Sequence, residues 1–190
     1  MNKINIAILA SGNGSNAENI VNHFVDNEHI AVTLIASNIK RAYVLQRASK
    51  LGVASRVFTK SELENPHFLS IVDPEKFDIV VLAGFLLKIP AFLISAFPDR
   101  IINIHPALLP KFGGKGMYGD HVHLAVIRQG ETVSGITIHL VNEVYDSGRI
   151  LFQTSCPVLS GDQPATLATR IHQLEHKYFP QIIEDYINKL

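Results

Sequence analysis

Ile4-Asn5-Ile6-Ala7-Ile8-Leu9-Ala10-Ser11-Gly12-Asn13-Gly14-Ser15-Asn16-Ala17 decides how the rest of the chain is read. Residues 4–10 form a short apolar run suited to a buried strand. The run passes straight into a glycine-rich turn. Over residues 17–25, Ile20, Val21 and Phe24 then recur with helical spacing. Gly12-x-Gly14-x-x-Ala17 fits G-x-G-x-x-G/A, placed between a strand and a helix, the context that gives this motif its meaning. Glycine lets a backbone come close to an anion, and a helix start offers unpaired N–H groups and partial positive charge. Gly14, Ser15 and Asn16 are therefore candidate phosphate ligands. The competing reading is a tight turn that needs glycine for geometry alone. A full dinucleotide would call for an acidic residue about twenty positions further on. The second strand ends in Ile35-Ala36-Ser37-Asn38, with no Asp or Glu between Val32 and Lys40. A phosphate on a smaller substrate fits better than a nicotinamide cofactor.

Outward from this unit, strands are expected at 29–36, 53–58 and 77–83, with helices at 41–51, around 67–72 and at 91–96. Such alternation argues for an α/β fold with a mostly parallel, twisted sheet and a Rossmann-like N-terminal half. Strands at 132–141 and 149–158, with no helix between them, argue for an antiparallel addition in the C-terminal half. A long amphipathic C-terminal helix follows over 165–190, broken or bent near Pro180. Residues 1–190 read as a single domain without repeats or linkers. Apolar residues make up 47 % and the formal net charge is zero, so there is a real core and no electrostatic footprint for nucleic acid or an anionic membrane. The single Cys156 excludes an internal disulfide and a cysteine zinc cluster. No run approaches the roughly 20 apolar residues of a membrane helix, and the N-terminus lacks a signal-peptide pattern. A cytoplasmic protein is expected.

Asn103-Ile104-His105-Pro106-Ala107-Leu108-Leu109-Pro110 is the second informative stretch. It continues the apolar pair Ile101-Ile102. Strand alternation sends Asn103 and His105 to one face, and Pro106 stops the strand at His105. Open α/β sheets place their chemistry at such carboxyl ends of buried strands. Asp146, in the polar loop Asn142-Glu143-Val144-Tyr145-Asp146-Ser147-Gly148, is a candidate partner. A carboxylate beside His105 would raise the imidazole pKa and hold the ring, and Asn103 would donate to a developing oxyanion. Spacing alone does not establish the assembly, because seventeen acidic residues supply many accidental candidates.

Beyond Pro110, residues 111–119 hold four glycines and should form a mobile loop. Asp120 can N-cap a helix running to Arg128, with Gly130 at its C-cap. His121-Val122-His123, with His139 as third ligand, invites a metal reading. On a helix residues i and i+2 do not share a face, and no acidic or cysteine partner has ligand spacing. No metal is expected. Lys88, Lys111 and Lys115 could each meet an anion or simply be solvated. Glu175 and His176 would ordinarily be a charged helix face.

Ala10-Ser11-Gly12-Asn13-Gly14-Ser15-Asn16, Val80-Val81-Leu82-Ala83-Gly84-Phe85, the Asn103–Pro110 block and Asp146-Ser147-Gly148 occur in this order in one known group. Over essentially its whole length the chain resembles the phosphoribosylglycinamide formyltransferases, folate-dependent enzymes of purine synthesis. N-x-H-P-x-L-L-P with a downstream D-x-G marks folate formyl-transferring enzymes. S-G-x-G-S-N narrows the resemblance to the glycinamide ribonucleotide branch and its deformylase relative. The resemblance implies a formyltransferase fold and transfer of a formyl group from 10-formyltetrahydrofolate to the amine of phosphoribosylglycinamide in de novo purine (IMP) biosynthesis. Catalysis would fall to Asn103, His105 and Asp146. Gly14, Ser15 and Asn16 would hold the substrate phosphate. Glu175, with residues 172–174, would lie near the ribose and glycinamide. Leu86, Leu87, Lys88, Ile89, Asn103, Asn142, Glu143, Val144 and Tyr145 would line the folate pocket. No metal and no covalent intermediate are implied. The expected partners are the two small substrates, with no nucleic acid or membrane, and a monomer or weak homodimer.

The departures from that group are specific. Residues 112–120 form a larger, glycine-rich loop than is common after L-L-P. Residues 61–66 lack an arginine for the folate glutamate tail, and a common M-R-I-L run is replaced by Leu86-Leu87-Lys88-Ile89. Formyltetrahydrofolate deformylase is the nearest alternative; it usually adds an N-terminal regulatory domain, for which a first strand at Ile4 leaves no room. Methionyl-tRNA formyltransferase adds a C-terminal domain and a basic surface. A non-catalytic phosphosugar-binding module is the alternative of another class.

Overall fold

The computed structural model describes residues 3–190. The chain divides into two compact units, the division falling between Ile102 and Asn103. The first carries β1 (Ile4–Leu9), α1 (Ser15–His23), β2 (Ile30–Ser37), α2 (Tyr43–Lys50), β3 (Ala54–Val57), α3 (Lys60–Leu63), β4 (Ile79–Leu82) and α4 (Ala91–Ala96). β1 pairs in parallel with β2 on one side and β4 on the other, and β2 pairs in parallel with β3. Ile6, Ile8, Leu9, Ile79, Val80 and Val81 are completely or almost completely buried, as in strands covered on both faces. Each such side chain contributes on the order of 2 kcal/mol.

β5 (Ile101–His105) spans the division, and α5 (Asp120–Arg128), β6 (Val133–Leu140), β7 (Ile150–Pro157) and α6 (Pro164–Ile187) follow. β6 and β7 are antiparallel. Among the described residues the hydrogen-bonded strand order is β3-β2-β1-β4-β5-β6-β7. A mostly parallel sheet with a late antiparallel addition and a long last helix is thus the observed architecture. Among the described residues no helix is long and apolar enough to cross a membrane.

Several local expectations are corrected. α1 begins at Ser15, two residues before the expected Ala17, behind Gly14 with φ 78°. Ser15 and Asn16 therefore sit in the helix's first turn. The helix expected around 67–72 is a short 3-10 helix over Pro66–Ser70. Pro66 lies in its first turn, where a missing N–H leaves no bond unmade, and the N-cap Asn65, at φ −98° and ψ 132°, accepts from His67 N–H through its side chain. Ahead of it, a capping box between Thr59 and Glu62 opens α3. Phe68 and Val72 still reach the core.

Asp120 does not cap α5. Gly119 does, with φ 52° and ψ −135°, and Asp120 is the first helical residue, where its charge still favours the positive helix end. Gln129 is the C-cap, and Gly130 follows with φ 67°. Gly130 N–H donates to the Ile127 carbonyl and Glu131 N–H to that of Val126, the double bond of a Schellman ending. α6 is not broken: its 24 residues run continuously through Pro180. Buried residues Leu167, Ile171, Glu175, Phe179, Ile183 and Ile187 form one stripe on both sides of that proline. Packing along the stripe outweighs the roughly 3 kcal/mol that an interior proline costs.

Candidate active site

Asn103, His105 and Asp146 belong to one unit, and the structure brings them together. β5 ends at His105, as Pro106 dictates, with Ile101, Ile102 and Ile104 buried. The segment after it is pinned from β6 and β7. Thr137 Oγ1 accepts from Leu109 N–H at 3.0 Å and donates to the Ala107 carbonyl at 2.7 Å. Gln153 Nε2 donates to the Leu109 carbonyl at 3.0 Å. These bonds satisfy the backbone that leaves the strand, and so fix the direction in which Asn103 and His105 project.

His105 is buried. Its Nε2 donates to the Phe112 carbonyl at 2.7 Å, and its Nδ1 stands 3.7 Å from Asp146 Oδ2. The expected rise in its pKa does not occur. Burial pulls the ring below the ordinary histidine value and outweighs the upward pull of Asp146, the Phe112 carbonyl and Glu175, while His139 adds to the lowering. For Asp146 burial is again the largest influence and acts upward, but His139, the Gly114 N–H and His105 together hold the carboxyl below its usual range. Gly114 N–H donates to Asp146 Oδ2 at 2.8 Å.

Asn103 Nδ2 lies 3.0 Å from His139 Nε2, and His139 Nδ1 lies 2.8 Å from the Leu140 carbonyl. A carbonyl only accepts, so His139 carries its proton on Nδ1 and receives Asn103's N–H on Nε2. His139 Nε2 is also 3.7 Å from Asp146 Oδ1. The arrangement is a chain, Asn103 to His139 to Asp146 to His105. In the sequence His139 stands out only as a third ligand to the H-x-H pair; its alternation with Thr137 along β6 is the signal that places it beside the strand end. The Phe112 carbonyl and Gly114 N–H carry no side-chain signal at all. Both Asp146 (φ 53°) and Phe112 (φ 55°) are in the left-handed region. Strain of that kind gathers at functional positions. Gly148 is explained by packing: a Cβ there would stand 1.8 Å from the Leu140 carbonyl oxygen.

Asn142 organises the neighbouring loop, its Oδ1 accepting from Val144 N–H at 3.0 Å and Ser147 Oγ at 3.1 Å. Glu143 is exposed, as are the apolar side chains of Val144 and Tyr145. Glu175 is buried, not part of a charged face, and its Oε2 lies 2.8 Å from His172 Nδ1. That contact raises the pKa of His172 against the opposing effect of burial. The two histidines of the H-x-H pair separate: His121 is exposed and packs 5.2 Å from Tyr118, while His123 is buried. Lys111 pairs with Glu131 at 2.8 Å.

In the first unit, the glycine turn leads into α1, whose N-cap Gly14 supplies no side-chain cap. Ser11 N–H donates to the Gly84 carbonyl at 3.0 Å, and Ser11 Oγ donates to Asn38 Oδ1 at 2.7 Å and accepts from Leu86 N–H at 3.0 Å. Leu86 and Lys88 are exposed, Leu87 half-buried and Ile89 buried.

The model of the formyl transferase family matches residues 4–183. The chloroplastic phosphoribosylglycinamide formyltransferases of Arabidopsis thaliana and Vigna unguiculata are each 43 % identical to the chain, over 94 % of it. The chain spans 63 % and 59 % of the lengths of these two proteins. The crystal structure of phosphoribosylglycinamide formyltransferase from Streptococcus pneumoniae is similar with a TM-score of 0.83 and 34 % identity, covering 98 % of this chain and 99 % of that one. A match this long, carrying the strand end and the aspartate loop described above, shows that the chain belongs to the formyl transferase family.

Proposed function

We propose that the chain transfers the formyl group of 10-formyltetrahydrofolate to the amine of phosphoribosylglycinamide. The observation that carries this reading is the chain of contacts from Asn103 through His139 and Asp146 to His105. The substrate amine attacks the formyl carbon, and the carbonyl oxygen takes the electron pair. An Asn amide has two N–H donors. One of Asn103's is spent on His139, and the other meets the oxyanion. His105 takes the proton that the amine loses and returns it to the departing folate nitrogen as the carbon–nitrogen bond breaks. A ring whose neutral form is favoured by burial, beside a carboxylate held ionised, suits both halves of that relay. Direct transfer calls for neither a metal nor a covalent enzyme intermediate.

Gly14, Ser15 and Asn16 hold the substrate phosphate, a role supported by a helix start that lacks a side-chain cap. Glu175 meets the ribose and glycinamide. Folate binding falls to Leu86 to Ile89 in the first unit and to Asn103 and Asn142 to Tyr145 in the second; Leu86, and likewise Val144 and Tyr145, expose apolar side chains suited to it. Residues 1–190 act as one functional domain, a reading supported by a family match that runs unbroken through both units. The single cysteine suits a reducing cytoplasm, and zero net charge offers no electrostatic footprint for nucleic acid or an anionic membrane; the chain acts there as a monomer or weak homodimer. The test is spectrophotometric turnover of a 10-formyl folate with and without phosphoribosylglycinamide. Deformylation that depends on the amine is expected. Amine-independent deformylation would make the chain a hydrolase, and no turnover would make it a binding module.

A further inference from the structure

We propose that Arg47 is a positioning residue for the phosphate site: it holds the Asn13 peptide so that the loop's N–H groups stay aimed at the substrate phosphate. The inference rests on reading Gly14, Ser15 and Asn16 as that site. α2 touches three consecutive loop residues. Val44 N–H donates to the Gly12 carbonyl at 3.2 Å. Arg47 Nε donates to the Asn13 carbonyl at 2.9 Å and Arg47 Nη2 to Asn13 Oδ1 at 2.7 Å. Val44 also fills the place of a Gly14 side chain, since a Cβ there would stand 2.3 Å from its Cγ2.

In a trans peptide the carbonyl and the following N–H point in opposite directions. Holding the Gly12 and Asn13 carbonyls toward α2 therefore turns the N–H groups of Asn13 and Gly14 away from it. Successive N–H groups presented in that way form an anion-binding concavity. α1 adds the N–H groups of its first turn.

Only arginine can act as this brace. Its planar fork reaches a carbonyl, an amide oxygen and, through Nη1, the Glu18 carboxylate of α1 at once. The guanidinium also stands 4.9 Å from the centre of the Tyr43 ring. A lysine ammonium is a single point charge and cannot span these acceptors. Because Glu18 offsets the charge of Arg47, the effect on phosphate is one of geometry.

The test measures phosphoribosylglycinamide affinity by calorimetry, together with KM for the formyl donor, kcat and melting temperature, in Arg47→Ala and Arg47→Lys. Arg47→Ala should weaken the phosphorylated substrate about tenfold, or about 1.4 kcal/mol, with KM for the formyl donor within about twofold of the parent. Arg47→Lys should stay close to Arg47→Ala. Full recovery by lysine would overturn positioning in favour of charge. Unchanged affinity in Arg47→Ala, or equal losses for both substrates with a lowered melting temperature, would also overturn it. Ser15→Asp separates this inference from the reading beneath it. If Ser15→Asp weakens the substrate and Arg47→Ala does not, only the role of Arg47 fails. If Ser15→Asp binds as the parent does, the phosphate site fails, and the role of Arg47 with it.

Discussion

The Phe112 carbonyl stands 2.7 Å from His105 Nε2, on the opposite side of the ring from Asp146. A carbonyl cannot donate, so Nε2 carries a hydrogen in the neutral ring. The nitrogen free to take a proton is then Nδ1, which faces the carboxylate at 3.7 Å. In the proposed transfer, a proton gained at Nδ1 arrives where a negative charge stabilises it. His105→Ala removes this relay. Turnover should fall by about 10²- to 10⁴-fold, with binding of both substrates largely retained. Unchanged turnover would remove His105 from the chemistry.

Asp146→Asn tests the other half of the pair. Asp146 pulls the His105 pKa upward against burial, so its neutralisation lets the ring fall further. The acidic limb of the kcat profile should move to lower pH, and kcat should drop about a hundredfold. A profile that superimposes on the parent's would take Asp146 out of the relay.

Gly148→Ala places a methyl group 1.8 Å from the Leu140 carbonyl oxygen, where neither backbone can easily give way. Overpacking of this kind costs about 1–3 kcal/mol. Because Gly148 closes the loop that bears Asp146, turnover should fall as well. Urea unfolding and a rate measured well below the melting temperature check the two effects separately. A stable, fully active variant would contradict the packing account.

Acid should destabilise the fold beginning near neutrality. Burial pushes the pKa values of His105 and His123 down, and His172 lowers that of His123 further. Their folded values lie below the unfolded value of about 6.5, so the stability they contribute is present above it and lost as pH falls through the folded values. His172 has the opposite sign, its contribution present below about 6.5 and lost as pH rises. With its side chain 54 % exposed, its effect is the weaker one. The urea midpoint should therefore fall between pH ~8 and ~5, and His123→Gln should flatten that fall. A parent midpoint independent of pH would contradict it.

Much of this was legible in the residues. The strand, glycine turn and helix of residues 4–23 follow from periodicity, and Asn103 and His105 reach one cluster because strands alternate with a period of two. What was hidden is what side-chain identity does not encode. The Phe112 carbonyl and Gly114 N–H are backbone groups, so a glycine-rich run that reads as a mobile loop is tied to the site near its start. The direction of the His105 pKa depends on burial, which tertiary packing decides. Glu175 reads as a surface charge until α6 turns it inward on the same stripe as Ile171 and Phe179. Pro180 reads as a break because the packing that carries the helix past it is not local.

The fate of a carbon-13-labelled formyl group tests the central claim most directly. With labelled 10-formyltetrahydrofolate and phosphoribosylglycinamide, the label should appear by NMR on the amine nitrogen of the product, one label for each folate consumed. Labelled formate in place of that product, formed equally without the amine, would contradict direct transfer.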